Sequence, residues 1–175
     1  MTAFLRAASR ADVPSIAAIY GHHVLHGLAS FEVEAPSLDE MLRRFDAVTG
    51  VGYPYLVATE GNRVVGYAYA SAFRPRPAYR YTVEDSVYLD PDATGRGIGR
   101  QLLLALIEAC TRALYRQMIA VIGDSANHAS IGLHRACGFD RMNVFVATGF
   151  KHGRWVDTVF MQRALGEGDR SLPPD

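Results

Sequence analysis

Apolar residues recur along this chain with helical spacing in some stretches and as short strand-like runs in others. Phe4 to Ala8 reads as a short first strand. Val13, Ile16, Ala17, Tyr20 and Val24 then share one helical face, with Ser9 and Asp12 as candidate starts and Pro14 suited to the first turn. A second helix follows Pro36, where Ser37 and Glu40 stand in capping-box spacing ahead of Met41, Leu42 and Phe45. Tyr53 to Thr59 and Arg63 to Ala72 read as two strands joined by Gly61-Asn62, a tight-hairpin signal that makes them antiparallel.

The stretch from Thr82 to Leu106 reads as a strand, a glycine-rich turn and an amphipathic helix. The helix begins near Ile98 and runs through Leu102, Ala105, Leu106, Ala109 and Ala113 to about Tyr115. Met118 to Ile122 is a continuous apolar strand, parallel to its predecessor because a helix connects them. Ser125 or Asn127 starts a further helix through Ile131, Leu133 and Ala136, which Gly138 ends. Phe139 to Val146 and Thr158 to Arg163 are the last strands, with a hydrophilic turn, Gly149 to Trp155, between them. The tail from Leu165 is expected to be disordered. Strands alternating with helices around a mixed sheet give an α/β (α+β) fold, with residues 1–165 as one domain.

Charge narrows the function classes. Eighteen basic residues balance eighteen acidic ones, which gives neither a nucleic-acid footprint nor a disordered acidic character. The longest apolar runs fall short of the roughly 20 residues of a membrane span, and the N-terminus lacks a signal pattern, so a cytoplasmic protein is expected. Cys110 and Cys137 have no metal-ligand spacing and read as small core residues. His22, His23 and His26 lack partner carboxylates in ligand spacing, which favours solvated or substrate-side histidines over a metal site.

Gly95, Gly97 and Gly99 free the backbone to aim several N–H groups at one point, and the following helix adds its positive dipole end. Such a turn suits a phosphate. Arg100-Gln101 follows the last glycine where a Walker loop needs Lys-Ser or Lys-Thr, and the spacing does not fit a dinucleotide fold. An ordinary glycine turn is the structural alternative. Arg74, Arg76 and Arg80, in a proline-containing loop, suit a carboxylate or phosphinate through two-pronged hydrogen bonds, or else make a solvated basic loop.

Gly97 and Gly99, preceded by Arg96, resemble the acetyl-CoA pyrophosphate loop of the GNAT superfamily of N-acetyltransferases, although Thr94 stands where that pattern has Gln or Arg. Tyr53-Pro54, Ala78-Tyr79 ahead of Thr82-Val83-Glu84, Ser86-Val87-Tyr88, Ala120 to Gly123 and Gly149 to Trp155 extend the resemblance over nearly the whole chain. They look like the phosphinothricin and methionine-sulfoximine N-acetyltransferases.

The resemblance implies a GNAT fold, with a mostly antiparallel twisted sheet splayed at a central parallel strand pair. It implies acetyl-CoA as cosubstrate, held by Val87, Tyr88 and Leu89 of the central strand, by Gly95, Arg96, Gly97, Ile98, Gly99 and Arg100, and by Asn127. It places the acidic base at Glu84, and Asp85 points to the opposite sheet face by strand alternation. His134 stands where many members carry a proton-donating tyrosine, which makes it a second catalytic candidate, to donate or shuttle a proton to the departing thiolate, although a thiolate can leave unassisted. Asn127 also reads as a helix cap. Phe31, Arg74, Arg76, Tyr79, Arg80, Glu84 and Lys151 are expected on the acceptor side, where Lys151, His152 and Trp155 line the pocket across a homodimer interface or else form a surface turn that merely packs.

The reading is thus direct acetyl transfer to the α-amine of a small amino acid or analogue, without a metal. Two alternatives stay open: acetylation of another small amine, and a non-catalytic module that only binds acetyl-CoA.

Overall fold

The computed structural model describes residues 3–173. Seven strands form one mixed sheet in the order β1-β2-β3-β4-β5-β7-β6. They are β1 (Phe4–Ala7), β2 (Tyr55–Glu60), β3 (Arg63–Ala72), β4 (Thr82–Leu89), β5 (Gln117–Gly123), β6 (Arg141–Lys151) and β7 (Arg154–Ala164). Four helices cover it: α1 (Val13–His26), α2 (Leu38–Gly50), α3 (Ile98–Arg112) and α4 (His128–Ala136).

Local chemistry accounts for most boundaries. A short 3-10 turn, Arg10–Asp12, precedes α1, and the Asp12 carboxylate accepts from both the main chain and the hydroxyl of Ser9. Ser37 Oγ accepts from the N–H of Glu40 at 3.2 Å, while the Glu40 carboxylate turns instead to Arg43 and Arg44. Only half of the anticipated capping box therefore forms. Gly61, at φ +57°, makes the antiparallel β2–β3 turn, and Gly138, at φ +86°, follows α4.

β4 and β5 are parallel because α3 carries the chain back across the sheet. Their pairing covers only Thr82–Asp85 against Gln117–Ala120. Beyond it β4 stays with β3 as far as Leu89, and β5 stays with β7 as far as Gly123, so the two central strands part in a V. The carbonyl of Leu28 fills the β5 side of that V, since a Cβ on Gly123 would lie 2.0 Å from it. One core lies between α3, α4 and the sheet, around Leu102, Leu106, Met118 and Phe139. A second lies under α1 and α2, around Ile16, Phe45, Val57 and Tyr67. Cys110 and Cys137 are buried, unpaired members of the first core.

Two segments differ from expectation. Gly149 to Trp155 is not an open turn: β6 and β7 pair up to Lys151 and Arg154, leaving His152 and Gly153, at φ +49° and +74°, as a two-residue hairpin turn. Cross-strand pairing of Phe150 with Trp155 lets polar neighbours continue the ladder. In the tail, Leu165 is buried, and Arg116 donates to the Ser171 hydroxyl at 3.1 Å and the Leu172 carbonyl at 3.0 Å. Its last two residues, 174–175, lie outside the described part.

Candidate active site

The V opens a groove of about 650 Å3, within the range of small-molecule sites. Val87, Tyr88 and Leu89 form one wall, Asn127, Ser130 and Leu133 the other, and Thr94, Gly95, Gly97, Gly99 and Arg100 one end. Gly95 and Gly97 have φ of +71° and +78°, and the space where their side chains would project is open. The turn thus keeps its backbone bare at the head of α3, as a phosphate requires. Asn127 caps α4, its Oδ1 accepting from the Ser130 N–H at 3.1 Å, and still faces the groove. An unpaired strand flank, a bare turn at a helix start and an elongated groove fit a pantetheine diphosphate.

Two residues of the glycine loop turn elsewhere. Arg96 pairs with Glu60 at the end of β2. Ile98 is buried in the core beneath α3. Both are held by the same local geometry: successive residues of a tight turn point in different directions, and only the glycines and Arg100 are left on the groove side. Leu89 has its carbonyl engaged, 2.7 Å from Nε2 of His23. A carbonyl only accepts, so Nε2 carries the hydrogen. Burial pushes the His23 pKa down, against the pull of that hydrogen bond, which keeps the ring neutral. Among the described residues no group of three His, Cys, Asp or Glu side chains could hold a metal ion.

The register splits Glu84 from Asp85. Glu84, Ser86 and Tyr88 oppose Ser71, Tyr69 and Tyr67 on the α1 side, where the rings of Tyr88 and Tyr20 meet at 5.2 Å. Asp85 is buried on the α4 side, its Oδ2 3.0 Å from Nε2 of His134. Burial pushes the Glu84 pKa above the ordinary carboxylate value; Asp85 adds to this and the Arg74 charge opposes it. A half-buried carboxyl with a raised pKa beside a strand splay is a candidate proton acceptor.

Acceptor-side residues fall into two groups. Arg74, Arg76, Tyr79 and Arg80 are exposed on the loop before β4, where a 3-10 turn, Pro77–Tyr79, was anticipated only as irregular chain. Arg74 lies over the Phe73 ring and within electrostatic reach of Glu84; Arg80 lies over Tyr81. Phe31 sits on the other side, its ring over Gly149 and Gly123. Lys151, expected to face an acceptor, is buried, and its ammonium donates to the Ser30 carbonyl at 2.6 Å. It thus reaches the acceptor side only through the loop that carries Phe31. The Asp85–His134 contact was not legible in the sequence, where the two are 49 residues apart; alternation alone placed Asp85 on that face.

The profile of the acetyltransferase (GNAT) family matches residues 23–139. Phosphinothricin N-acetyltransferase of Alcaligenes faecalis is 56% identical over 162 residues, 93% of this chain and 82% of that protein. The L-methionine sulfoximine/L-methionine sulfone acetyltransferase of Salmonella typhimurium is 41% identical over 163 residues, 93% of this chain and 95% of its own. A crystal structure of a GNAT superfamily phosphinothricin acetyltransferase from Sinorhizobium meliloti, in complex with acetyl-CoA, superposes with a TM-score of 0.96 at 56% identity, covering 100% of this chain and 95% of the other.

Proposed function

This chain belongs to the acetyltransferase (GNAT) family, and on that premise we propose that its acceptor is the α-amine of a small amino acid or analogue of the phosphinothricin and methionine sulfone or sulfoximine type. It is an acetyl-CoA-dependent N-acetyltransferase. The observation that carries the reading is the V between β4 and β5, which sets a cofactor-sized groove beside the strand bearing Glu84.

In this reading acetyl-CoA supplies an activated thioester, and the chain does the rest. The main chain of Val87 and Tyr88 and the side chain of Asn127 hold the pantetheine arm, and the amides from Gly95 to Arg100 hold the diphosphate. Leu89 contributes its side chain, since His23 occupies its carbonyl. Glu84 takes a proton from the acceptor ammonium, whose solution pKa of roughly 10 otherwise leaves it without a lone pair. Arg74, Arg76 and Arg80 receive the acceptor's carboxylate or phosphinate. Transfer is direct. Burial pushes the Cys110 thiol up to about 12 and raises that of Cys137, so neither supplies a thiolate for a covalent acyl-enzyme.

The reading treats residues 1–165 as one domain and places the enzyme in the cytoplasm, beside its donor. A second copy of the chain on the β6–β7 hairpin is supported by exposed Phe145, Val146, Phe150 and Trp155, with Val146 76% and Trp155 66% exposed. Sedimentation of wild type and Val146→Glu tests this: a wild-type monomer removes the dimer.

The function itself is tested by following thiol release from acetyl-CoA over a panel of amines. Release with phosphinothricin, methionine sulfone or methionine sulfoximine is expected. Binding of acetyl-CoA with no release for any amine would leave a non-catalytic module.

A further inference from the structure

A second, smaller cavity of about 50 Å3 lies in the V, lined among others by Asp85, Ser86, Ala120 and His134. Ala29, Val87, Tyr88, Asn127 and Ser130 line both this cavity and the large groove, and so form the wall between them.

The hydrogen bonds of His134 fix how many protons this corner holds. Nδ1 lies 2.8 Å from the Ser130 carbonyl and 3.4 Å from the Ser130 hydroxyl; Nε2 lies 3.0 Å from Oδ2 of Asp85. A carbonyl oxygen has no hydrogen to give, so Nδ1 carries one. That uses the only N–H of a neutral imidazole. The Nε2 to Oδ2 contact needs another hydrogen, on the ring or on the carboxyl. Asp85 and His134 together therefore hold one proton more than a carboxylate beside a neutral ring.

The surroundings agree with this count. Burial pushes the His134 pKa down, but Asp85, by hydrogen bond and by charge, and the Ser130 carbonyl outweigh it and hold the pKa above the ordinary value. Asp85 is 5% exposed, and its Oδ1 has no partner among the described residues, so a counter-charge on the ring offsets a burial that would otherwise be costly. From α3 the pair faces Cys110, whose raised pKa keeps it neutral, and the Cys137 thiol after α4 is raised as well. Phe139 covers the ring edge-on at 5.0 Å, and Glu84 points to the other sheet face.

His134 is only 4% exposed, and both its nitrogens are engaged. A direct route from the ring to the groove is closed. Of the residues on the shared wall, Ser130 carries a hydroxyl beside the ring, its Oγ 3.4 Å from Nδ1.

We propose that Ser130 is a catalytic residue: its Oγ gives a proton to the sulfur as the acyl–sulfur bond breaks, and takes one from Nδ1 of His134, a ring that Asp85 keeps charged until that step. The inference rests on the acetyl-transfer reading above. At its end the sulfur carries the proton as a free thiol, the serine hydroxyl is restored, and His134 is neutral with Nε2–H on an ionised Asp85. The bare Nδ1 then faces the Ser130 carbonyl, which favours uptake of a proton from solvent to reset the pair. At 3.4 Å the Ser130 Oγ contact with Nδ1 is longer than the reach of about 2.6–3.2 Å that proton transfer needs, so the step requires the hydroxyl to close on the ring once both substrates are bound.

The count is tested by nitrogen NMR of the histidine rings in the intact protein at neutral pH. Both His134 nitrogens protonated in wild type, and one lost in Asp85→Asn, is the expected result; a His134 ring with a single proton in wild type overturns the proposal without recourse to any variant. The transfer step is tested by single-turnover acetylation of the best amine from the panel, with acetyl-CoA affinity measured separately by calorimetry. Ser130→Ala is expected to slow transfer about 100-fold with affinity unchanged, and Ser130→Thr to restore most of it. Normal turnover in Ser130→Ala, or a loss matched by lost affinity, overturns the role of Ser130 alone. A wild type that releases thiol with no amine overturns the transfer reading, and this role with it.

Discussion

The Lys151 ammonium donates to the main-chain carbonyl of Ser30 at 2.6 Å, with the lysine only 2% exposed. This contact ties the end of β6 to the loop after α1. Two glycines complete the seat: a Cβ on Gly149 would stand 2.5 Å from the Phe31 ring, and one on Gly123 3.0 Å from it. The same loop carries Gly27, Leu28 and Ala29 to the rim of the groove. Lys151 thus sets the position of Phe31 and of the groove rim from a distance.

Lys151→Ala removes the ammonium that donates to the Ser30 carbonyl and leaves a gap beside it. Urea unfolding is expected to show a loss of about 1–3 kcal/mol, the cost of a buried carbonyl left unpaired. The Michaelis constant for the amine should rise more than that for acetyl-CoA, because the loop carries Phe31. Unchanged stability would show that the contact holds nothing in place.

Glu84 should govern the acid limb of turnover. Its pKa is raised chiefly by burial and held back by Arg74. As the proposed base, Glu84 works ionised, so kcat/KM is expected to fall as pH drops through a value above the ordinary glutamate range, and Arg74→Ala should move that limb to higher pH. Glu84→Gln should lose most turnover, about 100-fold or more, while acetyl-CoA still binds. A limb that ignores Arg74, or near-normal turnover in Glu84→Gln, removes Glu84 from the proton transfer.

Gly97 is left-handed at φ +78° and faces open groove. A β-branched side chain there costs about 1–2 kcal/mol of backbone strain and stands over the amides of the turn. Calorimetry on Gly97→Val is expected to show at least about a tenfold weaker affinity for acetyl-CoA, equivalent to about 1.4 kcal/mol. Wild-type affinity would mean that the diphosphate is held elsewhere.

Acid stability should depend on Asp12. The Arg6 guanidinium, 2.7 Å away, holds its carboxyl down to about 2, although burial opposes this and Ser9 assists. A depressed carboxyl stabilises the fold above its unfolded pKa of about 4 and loses that contribution as pH falls toward its folded value. The contribution is at most about 2 kcal/mol. Asp12→Asn should therefore be less stable than wild type at pH 7 and draw level near pH 2, as thermal unfolding against pH will show.

Much of the architecture was legible because it is local. Helical spacing from Ile98 onward, the Gly61-Asn62 turn and the connection of Thr82 to Ile122 through a helix are short-range facts, and they foretold the parallel β4–β5 pair. At 149–155 the turn proves shorter than its hydrophilic residues suggest, because the ladder continues through Phe150 meeting Trp155, a pairing that hydrophilic neighbours hide. Of the glycine loop, the sequence marked the stretch but not which of its residues line the groove, and Arg96 and Ile98 turn away to Glu60 and to the core.

The sequence by itself determined the order of elements, the glycine turn ahead of α3 and the split of Glu84 from Asp85 across the sheet, since each follows from spacing along one segment. Tertiary structure alone decided how far β4 and β5 part, that Lys151 is buried against Ser30, and that His134 is buried with its Nε2 3.0 Å from Asp85 rather than facing the groove. Those outcomes depend on burial and on partners distant in the chain, and the energy of a charge or a hydrogen bond is set by what surrounds it once the chain has closed.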